Sequence, residues 1–310
     1  MKDGVLLINK PAGFTSFDVI AKLRGILKER KLGHGGTLDP NVTGVLPVFI
    51  GRATKAIDLV SRQDKKYAAT FRLGIETDTQ DIWGEVLEEK EPIRDIEKIK
   101  DAVLSFKGES EQLPPMFSAI RINGVRLYDL AREGKQIARE MRKINVYDIS
   151  FLGKTENEDE YKFEIFCSKG TYVRTICADI GEKLLCGAAM TSLVRTNSMG
   201  FDLKDCVSLE EVEAAAKEGR ADSLVRPIEE LFSDLPPIFL DKNNTHLYKN
   251  GVGLNPKRVS GVIYDTAYEI APYQRYCVFG DMGEFIGIGH IDYSKREFRS
   301  IKMFYNEEKQ

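Results

Sequence analysis

The sequence predicts an α+β fold over residues 1–237, followed by a small β-rich domain over residues 238–310. Three observations carry that prediction. At 310 residues the chain exceeds a typical single domain, and one large unit with a small one fits better than two equal halves. Helix-like and strand-like segments intermix as far as Asp234-Leu235-Pro236-Pro237, where the helical signal ends. Beyond it come short strand-like pieces such as Tyr276–Phe279, Phe285–Ile291 and Phe298–Phe304.

Along the chain, Gly4–Asn9 reads as a strand and Lys10-Pro11-Ala12-Gly13 as a turn. Thr15 and Ser16 offer caps to a helix that would place Phe17, Ile20, Ala21 and Leu27 on one face. A glycine-rich loop follows. Tyr67–Leu73 alternates as a strand does, and the acidic Ile75–Trp83 reads as a loop or hairpin connection. Ile96, Ile99, Val103 and Leu104 mark a helix. From Gly170 the chain turns helical again, with Ile176, Ile180 and Leu184 in register and Gly187 as its stop. Ser208 and Glu211 form a capping box for a short helix ending near Gly219.

A content of 42% hydrophobic and 30% charged residues is that of a globular chain, not a disordered one. The apolar run Val5–Ile8 is too short for a signal peptide or membrane span, and no later stretch is long enough, so a cytosolic protein without a membrane partner is expected. Five dispersed cysteines without a Cys-x-x-Cys pair, and three distant histidines (His34, His246, His290), predict neither a disulfide framework nor a metal centre. The net charge of −3 hides a cancellation. Residues 1–72 carry 13 basic and 6 acidic residues, a net of +7; residues 73–112 carry 5 and 12, a net of −7. Residues 113–143 carry 7 and 3, a net of +4. Such blocks suit a basic face for phosphates, although charge runs also occur on plain solvated surface.

Three segments carry candidate chemistry. In Gly33–Gly44, GHGGTLDPNVTG, glycines and a histidine lead into Asp39-Pro40, which presents the aspartate on an extended loop. Taken alone, this is also a common way to start a turn. The loop lacks the Lys-Ser/Thr ending of a Walker motif and the spacing of a dinucleotide fingerprint. In Lys169–Gly181, KGTYVRTICADIG, Tyr172 and Arg174 stand at the mouth of a helix. An arginine beside a carboxylate keeps it ionised and oriented, as a nucleophile or general base requires, but sequence separation cannot show that Arg174 meets Asp39. In Leu113–Gly134 the basic residues with Phe117 and Tyr128 suit phosphate contact and base stacking, while Leu127 and Leu130 read as core. Neither Gly-x-Ser-x-Gly nor His-Glu-x-x-His occurs, so ordinary hydrolase chemistry has no apparatus here.

Taken together and in order, GVLLINKPAGFTSFDVI, GHGGTLDPNVTGVLPVFIGRATK, KKYAATFRLGIETDTQDIWGEV, LPPMFSAIRINGVRLYDLAREG and KGTYVRTICADIG resemble the TruB family of tRNA pseudouridine synthases. The departures are small: Val42 stands where alanine is more frequent, Phe117 where tyrosine is common, and Ile120-Arg121 where an aliphatic-lysine pair is usual. The resemblance implies a mixed, mainly antiparallel central sheet with flanking helices and a PUA-type RNA-binding domain over 238–310. It implies Asp39 as the catalytic aspartate, Tyr67 stacked on the target uracil and Arg174 paired with the aspartate. His34 would enter the T loop beside the flipped nucleotide, and Tyr172 and Leu193 would line the uracil pocket. Lys10 and Pro11 match a motif with a mainly structural role. Residues 121–143 resemble a mobile thumb that closes on RNA.

Pseudouridine formation breaks a C–N glycosidic bond, turns the uracil and rejoins it through carbon without net redox change, so no cofactor is expected. One ionised carboxylate can add to the base or assist at the sugar carbon, and both routes stay open. The expected partner is tRNA, through its T stem-loop at position 55, bound by a monomer that needs no protein partner. A non-catalytic RNA-binding protein on the same scaffold, and a synthase acting on ribosomal or guide-bound RNA, are the alternatives.

Overall fold

The structure, a computed structural model, describes residues 1–118, 120–122, 124–259 and 274–305. The side chains of Arg121 and Arg126, counted above in the thumb-like stretch, and residues 260–273 and 306–310 of the C-terminal region lie outside the described residues. In chain order the first strands are β1 (Gly4–Lys10), β2 (Leu32–His34), β3 (Thr43–Ile50), β4 (Lys65–Leu73) and the pair β5 (Ile75–Thr77) and β6 (Val86–Glu89). There follow β7 (Gly108–Gln112), the two-residue strands β8 (Arg121–Ile122) and β9 (Val125–Arg126), β10 (Arg142–Lys154), β11 (Glu160–Cys167), β12 (Ala188–Ser198) and β13 (Phe201–Asp202). The last four are β14 (Pro237–Phe239), β15 (Arg275–Phe279), β16 (Phe285–Asp292) and β17 (Glu297–Met303). Six α-helices are described: α1 (Ser16–Leu27), α2 (Ile96–Leu104), α3 (Leu127–Arg132), α4 (Val173–Lys183), α5 (Leu209–Lys217) and α6 (Lys242–Lys249).

The large sheet runs β1-β3-β12-β4-β11-β10-β7, with β2 beside β3 and β13 beside β12. Every pairing in it is antiparallel except β3 with β12, where Val194 faces Thr43 and Arg195 faces Gly44. At that junction Gly44 has φ +107°, and a Cβ on it would lie 2.2 Å from the Arg195 carbonyl oxygen, so only glycine lets the strands approach.

The unbroken apolar run of β1 reflects burial on both faces. Leu6 and Ile8 pack with α1 and α5, while Val5 and Leu7 pack with Phe232, Cys277, Ile288 and Phe304. Strand β4 instead sends Tyr67, Ala69, Phe71 and Leu73 to one face, against α2 and α4 through Ile99, Val103, Ile176 and Ile180. The second sheet, β14-β15-β16-β17, thus shares a core with the first through Cys277, Ile288 and Phe304, and has its own around Tyr248, Val278 and Phe298.

Two expectations need correction. Helix α1 does carry its Thr15 capping box, but its inward stripe is Ser16, Val19, Ile20 and Leu23. Phe17 is 63% exposed, with the Arg24 guanidinium over its ring, because it falls on the flank of the helix, outside that stripe; Ala21 is exposed too. Helix α6 was not expected after residue 237. Asp241 caps it, and its sequence KNNTHLYK buries only Thr245 and Tyr248, so it shows no apolar periodicity to read. Among the described residues no helix is long and apolar enough to cross a membrane.

Candidate active site

The loop between β2 and β3 is fixed from three sides before it presents Asp39. Lys10, fully buried at the end of β1, donates from Nζ to the carbonyls of Pro11 and Pro40, each at 2.9 Å, and of Phe14. Ser16, the first residue of α1, accepts at Oγ from the Leu38 N–H at 2.9 Å. From the sheet side, fully buried Arg195 donates to the carbonyls of Val45 (2.8 Å), Gly36 (3.2 Å) and Thr37 (3.4 Å). These contacts supply donors and an acceptor to loop backbone groups removed from water, and the Gly13 N–H adds a second donor at the Pro40 carbonyl, 3.0 Å away.

Arg174 enters from the first turn of α4, whose start is set by Gln112 of β7. The Gln112 amide donates to the Tyr172 carbonyl at 3.0 Å and accepts from the Tyr172 N–H at 2.8 Å. The Arg174 side chain is 6% exposed. Its Nη1 lies 3.1 Å from Asp39 Oδ2 and 3.6 Å from Asp81 Oδ2, and Nη2 donates to the Phe117 carbonyl. The Tyr172 ring centroid is 6.0 Å from the guanidinium carbon, close enough for a cation–π contact. The Asp39 side chain is 42% exposed, so its carboxylate is held on the inner side yet open to an incoming group.

These residues surround a cavity of about 310 Å³ whose lining includes Asp39, Tyr67, Tyr172, Arg174 and Leu193, five of the six expected site residues. Tyr67 comes from β4 and Leu193 from β12, facing Ala69 two residues from it. Burial pushes the Tyr67 phenol up to about 12, with Arg195 opposing, so it keeps its proton at neutral pH. A buried aromatic ring, an aliphatic wall and one partly open carboxylate suit a planar polar base with a bond to be remade beside the carboxylate. His34, the sixth, stands in β2 outside this lining; burial lowers its pKa, and its Nδ1 is buried without a hydrogen-bond partner. Among the described residues no group of three or more His, Cys, Asp or Glu side chains is placed to hold a metal ion.

Three participants are illegible in the sequence. Asp81 lies in the acidic stretch that reads as solvated connection, yet it is buried, and burial raises its pKa against the pull of Thr79 and Arg174. Arg195 looks like an ordinary strand arginine. Lys65, on the cavity wall, is pulled down to about 8 by burial and then by Arg195.

Lys10 supports a stability prediction. Lys10→Met leaves the Pro11 and Phe14 carbonyls without this donor, and Pro40 with the Gly13 N–H alone, and is expected to destabilise the fold by about 2–3 kcal/mol in urea unfolding. Burial lowers the Lys10 ammonium from 10.5 to about 8, with Asp39 opposing. Between those values the unfolded chain binds more protons than the native one, so this group's contribution to stability rises with pH. The margin of the parent over Lys10→Met should therefore widen from about pH 8 to 10; a constant or shrinking margin contradicts the burial.

Sequence relationships agree with this geometry. Residues 24–173 match the model of the TruB family pseudouridylate synthase N-terminal domain, and residues 174–233 that of the tRNA pseudouridylate synthase B C-terminal domain. The tRNA pseudouridine synthase B of Bacillus cytotoxicus is 43% identical over 258 residues, 81% of this chain and 84% of that one. That of Alkaliphilus oremlandii is 39% identical over 310 residues, covering 99% and 100%. A solved Cbf5-Nop10-Gar1 complex contains a chain with the same fold, at TM-score 0.71 and 23% identity over 97% of this chain and 84% of that one. From the match of both domain models and an identity of 39–43% to relatives covered over 84–100% of their length, the chain belongs to the TruB family of pseudouridylate synthases.

Proposed function

We propose that this chain isomerises the uridine at position 55, in the T loop of tRNA, with Asp39 as its catalytic carboxylate and without a cofactor. The observation that carries the reading is the Asp39–Arg174 pair, 3.1 Å apart at the edge of a cavity that also holds Tyr67 and Leu193. The guanidinium holds one oxygen of a carboxylate that lines the cavity and stays 42% exposed, and a uracil stacked on Tyr67 would bring its base and its sugar carbon within the same small space. A base inside a stack cannot reach that space, so the uridine is swung out at a cost of a few kcal/mol. His34, at the end of β2 and two residues before Gly36 of the cavity wall, is the side chain we assign to the vacated position. Residues 121–143 close over the RNA as a thumb, and residues 238–310 form a PUA-type RNA-binding domain. The protein acts as a cytosolic monomer.

The tRNA assignment is tested by mapping pseudouridine in total RNA after deletion of the gene. Loss at the T-loop position of tRNA is expected, whereas retention there, or loss confined to ribosomal RNA, overturns the substrate.

A further inference from the structure

A groove of about 380 Å³ lies beside the active-site cavity, and the two share Gly36, Lys65 and Gly170 in their walls. Arg142 and Lys143, at the start of β10, and Lys169, just before α4, complete its basic lining, with exposed Asp58 as the one acidic residue in that lining. These four cations come from three separate stretches of chain. Other basic side chains that fold back on the protein meet a carboxylate, as Arg52 does Asp3 and Lys249 does Glu284, or are held by several backbone carbonyls, as Lys10 and Arg195 are. Among the described residues none of the four forms an ion pair with a carboxylate; Lys65 Nζ donates only to the Gln63 carbonyl, at 3.2 Å. Lys65 is pulled down to about 8, chiefly by burial and then by Arg195, with Cys167 and Asp64 opposing and Lys169 adding a smaller push in the same direction as Arg195. Four convergent cations against one exposed aspartate, none of them in an ion pair among the described residues, leave a net positive groove suited to an anion.

The shared wall selects that anion. Two of its three residues are glycines, so no side chain beyond Lys65 stands between cavity and groove. A nucleotide placed in the cavity therefore has its backbone leaving along the groove. Resting on the tRNA reading above, we propose that this groove seats the phosphodiester backbone next to the target uridine, with the flanking phosphate against Lys65 and Lys169 and the following one toward Arg142. The contacts position the strand without reading its sequence.

The test titrates T-stem-loop RNAs onto full-length Asp39→Asn protein, which binds without turnover, and onto the same protein also carrying Lys169→Gln or Arg142→Gln. Both side chains are exposed, so the fold is not at stake. Each change is expected to weaken binding roughly five- to tenfold near 0.1 M salt and to reduce the slope of log affinity on log salt by about 0.7–0.9. RNAs carrying one neutral methylphosphonate at each phosphate flanking the target uridine then locate the contact. At the contacted phosphate the neutral RNA should bind Lys169→Gln as well as its parent, because the two deletions remove the same interaction. An unchanged salt slope, or equal losses on charged and neutral RNA at every flanking position, overturns the groove alone. Failure of the parent to bind any T-stem-loop RNA overturns the tRNA reading, and the groove's ligand with it.

Discussion

Asp39→Asn is expected to lower turnover by at least about 10⁴-fold while tRNA affinity stays within about tenfold of the parent. The substitution keeps the shape of the side chain and removes its charge, so it separates chemistry from binding. Neither addition to the base nor assistance at the sugar carbon is open to a neutral amide. The loop should hold its place, since Lys10, Ser16 and Arg195 fix it through backbone groups on either side of residue 39. The direct contact that is weakened is the one with Arg174, alongside a longer-range attraction to Lys10, and with the aspartate 42% exposed the Arg174 pair contributes about 1 kcal/mol or less to stability. Release of the uracil C5 hydrogen measures turnover directly, and unchanged release would remove the aspartate from its role.

Arg174→Lys is expected to lower turnover by about 10²-fold or more, and Arg174→Met by more again, with RNA affinity changed far less. One guanidinium here serves Asp39, Asp81 and the Phe117 carbonyl at once, which an ammonium on a single axis cannot do. Lysine keeps the charge and loses the orientation, so comparison of the two variants separates those effects. Methionine also removes the cation beside Asp81, a buried carboxyl raised by desolvation that keeps only its Thr79 and Trp83 hydrogen bonds, and should destabilise by about 2 kcal/mol. Equal turnover of parent and Arg174→Lys would show that orientation through the arginine is not required.

Local signals in the sequence locate the elements that carry the site and offer Asp39, Tyr172 and Arg174 as candidates, whereas Tyr67, His34 and Leu193 enter only through the resemblance to the family. The Thr15 and Ser208 capping boxes, the helix after Tyr172 and the strand through Tyr67 are each set within a few residues. The meeting of Arg174 with Asp39, 135 positions apart, is set by β12 lying between β3 and β4, which no local pattern encodes. Resemblance of ordered motifs supplied it instead. Asp81 and Arg195 stayed hidden for a different reason. Their residue types are the usual ones for solvated surface, and only the fold turns them inward. Phe17 shows the reverse, an apolar residue on a face the fold leaves open.

The most direct measurement of the central claim is nucleoside analysis of an unmodified T-stem-loop RNA after incubation with the purified full-length protein and no added cofactor. The account predicts conversion of the single T-loop uridine to pseudouridine by the parent, and none by Asp39→Asn. An RNA that stays unmodified with the parent, or is converted equally well by the variant, would contradict it.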